Sequence, residues 1–227
     1  MSNSSKFSLM VPVAADKPEY SGNMPYMFAP DKGGTMLCVR AIGGLNLEVF
    51  DNIFFTILRK HADNYDIDKL LELQFKRNNL EKAKIVILDE PTSTQAETIM
   101  QTIRKENIQG AIYIKDADGY FHAEVFPENS VAVYPLEQLD LVDPRNKSYV
   151  SVDDMQHVTN IIEKRVVSNL FNAGGYCFEN VDDFINVYNK HVSLGHIYLS
   201  HLIYSMLLDG HLFRPTKVTE YNDWNIK

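Results

Sequence analysis

Four short apolar runs punctuate the first half of the chain: FSLMVPV from Phe7, DNIFFTIL from Asp51, AKIVIL from Ala83 and GAIYIK from Gly110. Stretches with helical spacing separate them, and this alternation is the tightest constraint on the fold. Runs apolar throughout are read as strands buried on both faces, and parallel neighbours need a crossover, usually a helix. TMLCVRAIGGL reads as a short helix ending at Gly43-Gly44, and DIDKLLELQFKRN as a helix with Asp66 at its N-cap. STQAETIMQTIRKEN reads as a helix capped at Ser93 or Thr94. The pattern predicts one α/β domain with a mixed, mainly parallel sheet. Its central strands are expected to include Leu9–Val13, Ile53–Ile57, Ile85–Leu88 and Ala111–Lys115. Residues 1–7 are expected to be a flexible N-terminus and residues 8–227 the domain.

The pattern changes after Asp118. YFHAEVF, SVAVYPL, KSYVSVDD and HVTNIIEK are strand-like, with few helical signals between them. They predict an antiparallel or mixed section beside the parallel sheet. VDDFINVYNKH and GHIYLSHLIYSMLLDG read as helices, the second closed by Gly210, and LFRPTKVTEYNDW reads as extended.

In open α/β sheets ligands collect at the carboxyl ends of the parallel strands. Here those are the loops after Val13, Leu88 and Lys115. With 22 Lys and Arg against 30 Asp and Glu, the net charge is −8, which argues against a general nucleic-acid surface. A phosphorylated ligand would need a few placed cations or a metal. Cys38 and Cys177 lie far apart in apolar contexts and read as buried free thiols. No apolar run has the length of a membrane span, and MSNSSKF lacks a signal-peptide core. A cytoplasmic protein without a membrane span is expected.

Three stretches carry candidate chemistry, each with a plainer alternative. In IKDADGYF, Asp116 and Asp118 end a strand; they could hold Mg²⁺ or form a solvated turn. In TSTQAETI, the helix start with Thr92, Ser93 and Gln95 could meet phosphate or a base edge. Equally, Thr94 and Glu97 fit a capping box. In IIEKRVVSNLFNAGGYCF, Glu163-Lys164, Ser168-Asn169 and Gly174-Gly175 precede or open an apolar strand. The glycines suit close approach to a ligand, or a hairpin or bulge. His196 and His201 are five residues apart and do not share a helix face. There is no GK[ST] loop and no GxSxG elbow.

Taken in order, these blocks resemble the sugar-phosphate nucleotidyltransferases, pyrophosphorylase-like proteins of GT-A-like fold, and in feel the divergent members of capsule and cell-surface polysaccharide loci. MVPVAADKPEYSGNMPYMFAPDKGGTML is similar to the opening strand and phosphate loop, and EPTSTQAETI to a Thr-x-Gly-Gln-Ala-Glu-Thr segment. IKDADGYF is similar to the strand-end metal motif, and SVDDMQHVTNIIEKRVVSNLFNAGGYCF to a Glu-Lys strand followed by Gly-x-Tyr-x-Phe. IYLSHLIYSMLLDGHLFRPTKVTEYNDW is similar to the closing helix and Tyr-x-Asp-Trp strand. The likeness runs from Leu9 to the end of the sequence.

The resemblance implies a Rossmann-like domain that couples a nucleoside triphosphate to a sugar phosphate or other phosphorylated small molecule, releasing pyrophosphate. Mg²⁺ would lie between Asp118 and Asp223. Ala14, Ala15, Gln95 and Thr98 would meet the nucleotide; Glu163, Lys164, Asn169 and Gly174 would meet the second substrate. The opening loop departs from the family pattern. Ala15 and Lys17 stand in place of glycines, Glu19 in place of an arginine, and Tyr26 in place of a lysine. Lys17 or Lys32 is therefore expected to supply the missing catalytic charge beside Asp118. Where the family continues past Asp-Trp with a Gly-Thr turn, this chain has Asn225. Two other readings stay open: a non-catalytic relative that binds or regulates, and a GT-A glycosyltransferase using a nucleotide-sugar. Assembly into a homo-oligomer is also left open.

Overall fold

A computed structural model describes residues 6–14, 24–138 and 146–224. Strand β1 (Phe7–Val13) is flanked by β2 (Asn52–Leu58) and β4 (Ala111–Lys115), and β3 (Ala83–Leu88) lies outside β2. All four are parallel. Beyond β4 come β9 (Leu170–Phe178), β6 (Ser130–Pro135) and β10 (Arg214–Lys217). β9 is antiparallel to both β4 and β6, and β10 is parallel to β6. Along this path only β9 runs against the rest, so the sheet is mixed and mainly parallel, as expected. A hairpin of β7 (Ser148–Val152) and β8 (Val158–Glu163) attaches to β9. β5 (Gly119–His122) and β11 (Thr219–Asp223) form a separate antiparallel pair.

The continuous apolar runs have a direct cause: alternate residues enter two cores. Leu9, Val11, Ile53, Phe55 and Tyr113 pack on one face with α1 (Leu37–Arg40) and α3 (Ile67–Arg77). Met10, Phe54, Ile112 and Ile114 pack on the other with α4 (Gln95–Glu106), α5 (Val181–His191) and α6 (Leu199–Leu208). Cys38 and Cys177 are buried free thiols, as expected, and burial pushes Cys38 up to about 12. Among the described residues no helix is long and apolar enough to cross a membrane.

Several expectations are corrected. Ile85–Leu88 is not central: β3 is the edge strand, half-covered on alternate residues. A helix absent from the sequence reading, α2 (Arg59–Tyr65), precedes α3. Asp66 is not a side-chain cap. Its backbone is left-handed (φ 53°), which turns α2 into α3, and its carboxylate takes the Lys69 ammonium at 2.5 Å. Gly174 and Gly175 lie inside β9 rather than before it. The α4 cap is Thr94, whose Oγ1 accepts from the Glu97 amide at 3.2 Å. Glu97 returns the contact to Ser93, taking its amide and hydroxyl at 2.7 Å. Gly210, with φ 91°, follows the Asp209 C-cap of α6, as expected.

One close approach fixes β5 against the body of the domain. The Ala123 amide donates to the Gly44 carbonyl at 3.0 Å. A Cβ at Gly44 would lie 2.1 Å from the Phe121 carbonyl oxygen, whereas one at Gly43 would meet only the Arg40 carbonyl at 3.3 Å. Gly44→Ala should therefore cost about 2 kcal/mol or more, at the upper end of overpacking penalties, because backbone is what must yield. Gly43→Ala should stay below about 1 kcal/mol. Urea midpoints of the two variants check this, and equal losses would contradict it.

Candidate active site at the carboxyl ends of the strands

β4 ends on a lysine with no solvent exposure. Its ammonium donates to the carbonyls of Asp116 and Gly119, both at 2.8 Å, and lies 4.4 Å from the Phe121 ring centroid. The two carbonyl contacts close the chain into a tight turn that presents Asp116 and Asp118 together. Burial pushes Lys115 down to about 8, against the opposing pull of Asp116, Asp118 and Asp223. Burial, then the Asp118 charge, pushes Asp116 up to about 6, against Lys115, Gln95 and Lys147.

Asp116 is held from two sides. Gln95, the first residue of α4, donates to its Oδ1 at 2.5 Å, and the Asp116 amide donates to the Gly174 carbonyl at 2.8 Å. Gly174 has φ 87°, and a Cβ there would lie 2.7 Å from Asp116 Oδ2. This glycine therefore serves the approach of Asp116. At Gly175 a Cβ would meet the Tyr113 hydroxyl at 2.3 Å and Phe121 at 2.9 Å, so it serves the packing beneath.

The long-range pairing of β11 with β5 brings in the last carboxylate. Asp223 pairs with Gly119, and the Trp224 amide donates to the Asp118 carbonyl at 3.0 Å. The Asp223 carboxylate is bound by the Lys147 ammonium, with side chains only 13% and 16% exposed. Lys147 also donates to the Tyr221 hydroxyl at 2.6 Å, and that hydroxyl donates to Asp223 at 3.3 Å.

Glu163 and Lys164 form the neighbouring wall. Glu163 accepts from Ser148 at 2.5 Å and from Ser200 of α6 at 2.7 Å. Lys164 has a left-handed backbone (φ 57°), and its ammonium donates to the Tyr198 hydroxyl at 2.9 Å. Tyr176 on β9 is buried where it feels the charges of both groups. Burial, then the charges of Asp116, Glu163 and Asp118, push its phenol well above its ordinary range.

The expected site residues thus divide. Gln95, Asp118, Gly174 and Asp223 converge, with Glu163 and Lys164 beside them. Ala15 and Lys17 lie outside the described residues. Ala14 is buried in the second core. The Thr98 hydroxyl is turned to the loop, 2.6 Å from that of Thr92. Asn169 is exposed just before β9, and its carbonyl accepts from the Leu136 amide at 2.7 Å. Lys32 is exposed in a turn fastened to the last turn of α3, where Arg77 donates to the Gly33 carbonyl at 2.7 Å. That end of α3 leads back into β3, at the amino ends of the strands, so Lys32 is not brought to the carboxylates. Tyr26 packs against the first core in a short 3-10 turn.

Sequence reasoning missed Lys115, Lys147 and Tyr221. Lys115 and Tyr221 have a positional cue, a lysine closing an apolar run and a tyrosine two residues before Asp223, though neither cue shows burial; Lys147 has none. The Mg²⁺ expectation can be tested on the donor set. Mg²⁺ demands near-octahedral oxygen ligands, usually one or two carboxylates with waters and phosphate. Here Asp223 is already satisfied by an ammonium and a phenol. As arranged, the set holds an ammonium at Asp223, and a divalent ion there would have to displace Lys147.

No family model matches the chain, and no curated protein matches it. Solved structures do. The nucleoside-diphosphate-sugar pyrophosphorylase from Vibrio cholerae RC9 is 17% identical, with TM-score 0.75 over 94% of this chain and 92% of that one. A UDP-glucose pyrophosphorylase complexed with UDP-glucose is 14% identical, with TM-score 0.72 over 96% and 93%. The inositol-1-phosphate CTP transferase from T. maritima is 14% identical, with TM-score 0.70 over 96% and 87%. The chain therefore has the Rossmann-like α/β fold of these nucleotidyltransferases.

Removing the buried cation tests the electrostatics of this cluster. Lys115→Met should cost about 3–5 kcal/mol, the usual result of leaving buried charge uncompensated. The loss should be smaller at pH 5 than at pH 7. Asp116 has a raised native pKa, so the native state gains on protonation below it and loses as pH rises through it. Urea unfolding at both pH values measures this; a loss below 1 kcal/mol, or one independent of pH, would contradict it.

Proposed function

We propose that the protein transfers a nucleotidyl group from a nucleoside triphosphate to a phosphorylated small molecule, with a sugar 1-phosphate the first class to test. The observation that carries this reading is the convergence of Gln95, Asp116, Asp118 and Asp223 at the strand ends, with Glu163 and Lys164 alongside. A fold shared with three nucleotidyltransferases adds support. The reaction would run in the cytoplasm, where triphosphates are made. On the sequence resemblance alone, its product would feed surface polysaccharide.

In the proposed step an oxygen of the acceptor phosphate attacks the α-phosphorus in line. A new P–O bond forms as the bond to the bridging oxygen breaks, and pyrophosphate leaves with that electron pair. The protein's part is positioning and charge. Gln95 and the amides at the start of α4 face the nucleotide. Lys164, held by Tyr198, faces the acceptor's phosphate, and Glu163, fixed by two serine hydroxyls, accepts from acceptor hydroxyls. Mg²⁺ is given no step, because Lys147 already holds Asp223.

A second reading has its own observation. Tyr26, in the place of a family lysine, is a packing residue, so one expected phosphate-binding cation has become core. A binding module without turnover would tolerate that change. Pyrophosphate release with a panel of triphosphates and sugar 1-phosphates separates the two. Under the first reading, Lys164→Ala should lower release about a hundredfold, as loss of one preorganised charge-stabilising donor does, with folding unchanged. Triphosphate-dependent thermal stabilisation without release from any acceptor would favour the module. Neither stabilisation nor release would sink both.

A further inference from the structure

The Lys147 ammonium lies at Asp223, one of the two aspartates between which the sequence resemblance would put a divalent cation, and it stands there on an anchored backbone. The Lys147 carbonyl accepts from the Lys164 amide at 2.8 Å, and the next residue, Ser148, is tied to Glu163 at 2.5 Å. Its ammonium reaches Asp223 and Tyr221 and lies 5.3 Å from the Tyr221 ring centroid and 5.6 Å from that of Phe171. Tyr221 is in turn stacked on Tyr134, with ring centroids 5.3 Å apart. The ammonium therefore has a carboxylate, a hydroxyl and the nearby Phe171 ring, and it is mostly shielded from water.

We infer that Lys147 is a built-in cation that takes the place of a divalent ion at Asp223. The chemistry favours the lysine. A tethered ammonium is present at a high effective concentration, whereas a free ion must be drawn from solution and partly dehydrated. A lysine nearby also repels a second cation. Lys115 adds to this from below, since both ammoniums act on the same carboxylate cluster. On this account the wild-type carboxylates are neutralised from within the chain, and a divalent site appears only when the lysine's charge is removed. The inference stands apart from the proposed reaction, since the ion alone tests it.

The experiment is Mn²⁺ binding to the full chain near neutral pH without nucleotide, followed by loss of the free-ion electron paramagnetic resonance signal. The wild type and Lys147→Arg should bind no stoichiometric Mn²⁺ at millimolar concentrations. Lys147→Met should bind one equivalent at least about tenfold more tightly, because removing a unit positive charge a few ångströms away is worth that or more at protein-like screening. Lys147→Met combined with Asp223→Asn should lose the gain. Circular dichroism checks folding of each variant, and Lys147→Gln carries the same test should the methionine variant fail to fold. Stoichiometric Mn²⁺ on the wild type that Asp223→Asn abolishes would overturn the inference. So would folded neutral variants at position 147 that bind no more tightly than wild type, or an arginine variant that binds as they do.

Discussion

A buried ammonium organises the carboxyl edge of this sheet. Lys115 has no exposed surface, yet it carries a charge at the end of a strand whose other residues are apolar. Such a group is stable only when its protons are spoken for and opposite charge is near. Two carbonyls and the Phe121 face meet the first need, and Asp116, Asp118 and Asp223 meet the second. The turn that supplies those carbonyls is the same turn that aims Asp116 and Asp118. β5 starts at Gly119, immediately after it, and pairs with β11, so Asp223 arrives through the same constraint. The candidate site is in this sense the solvation shell of one lysine.

That arrangement explains how a chain of net charge −8 can assemble carboxylates at a site proposed for phosphates. The carboxylates are matched within the protein, by Lys115 underneath and Lys147 at the side. Gln95 and the start of α4 contribute neutral donors, and Lys164 contributes a cation on an exposed wall. On the proposed reading Lys164 supplies a cation for the acceptor's phosphate, in a chain whose sequence has Glu19 and Tyr26 where the family pattern has basic residues. Tyr26, folded into the first core, gives the replacement a structural reason.

Much of the fold was legible because its signals are local. β1, β2 and β4 are predominantly apolar on both faces because alternate residues feed two cores, and α4 announces itself by Thr94 and Glu97. The misreadings share a different character. β3 reads as an apolar run apart from Lys84, and it is the strand order that makes it an edge. α2 is a short polar helix whose end depends on left-handed Asp66. Asp118, Asp223, Gln95 and Gly174 could be picked out as residue types. Their meeting depends on β11 crossing to β5, a pairing that no local periodicity encodes. Lys115 and Lys147 were passed over because a lysine is ordinarily solvated; nothing short of the tertiary packing reveals that these two are enclosed. Lys32 was favoured by its place in the sequence, and the contacts of Gly33 with Arg77 carry it to the other end of the sheet.

On the proposed reading, a phosphorylated nucleotide binds at the strand-end cluster around Lys115. Backbone amide NMR of the wild-type chain, titrated with each common nucleoside triphosphate to about 1 mM, the upper range of ordinary substrate affinities, tests it most directly. The expected result is that at least one triphosphate moves the amides of Gln95, Asp116–Gly119 and Tyr221–Asp223 most, with saturation. Shifts concentrated on another face, or no saturable shift with any triphosphate, would contradict it.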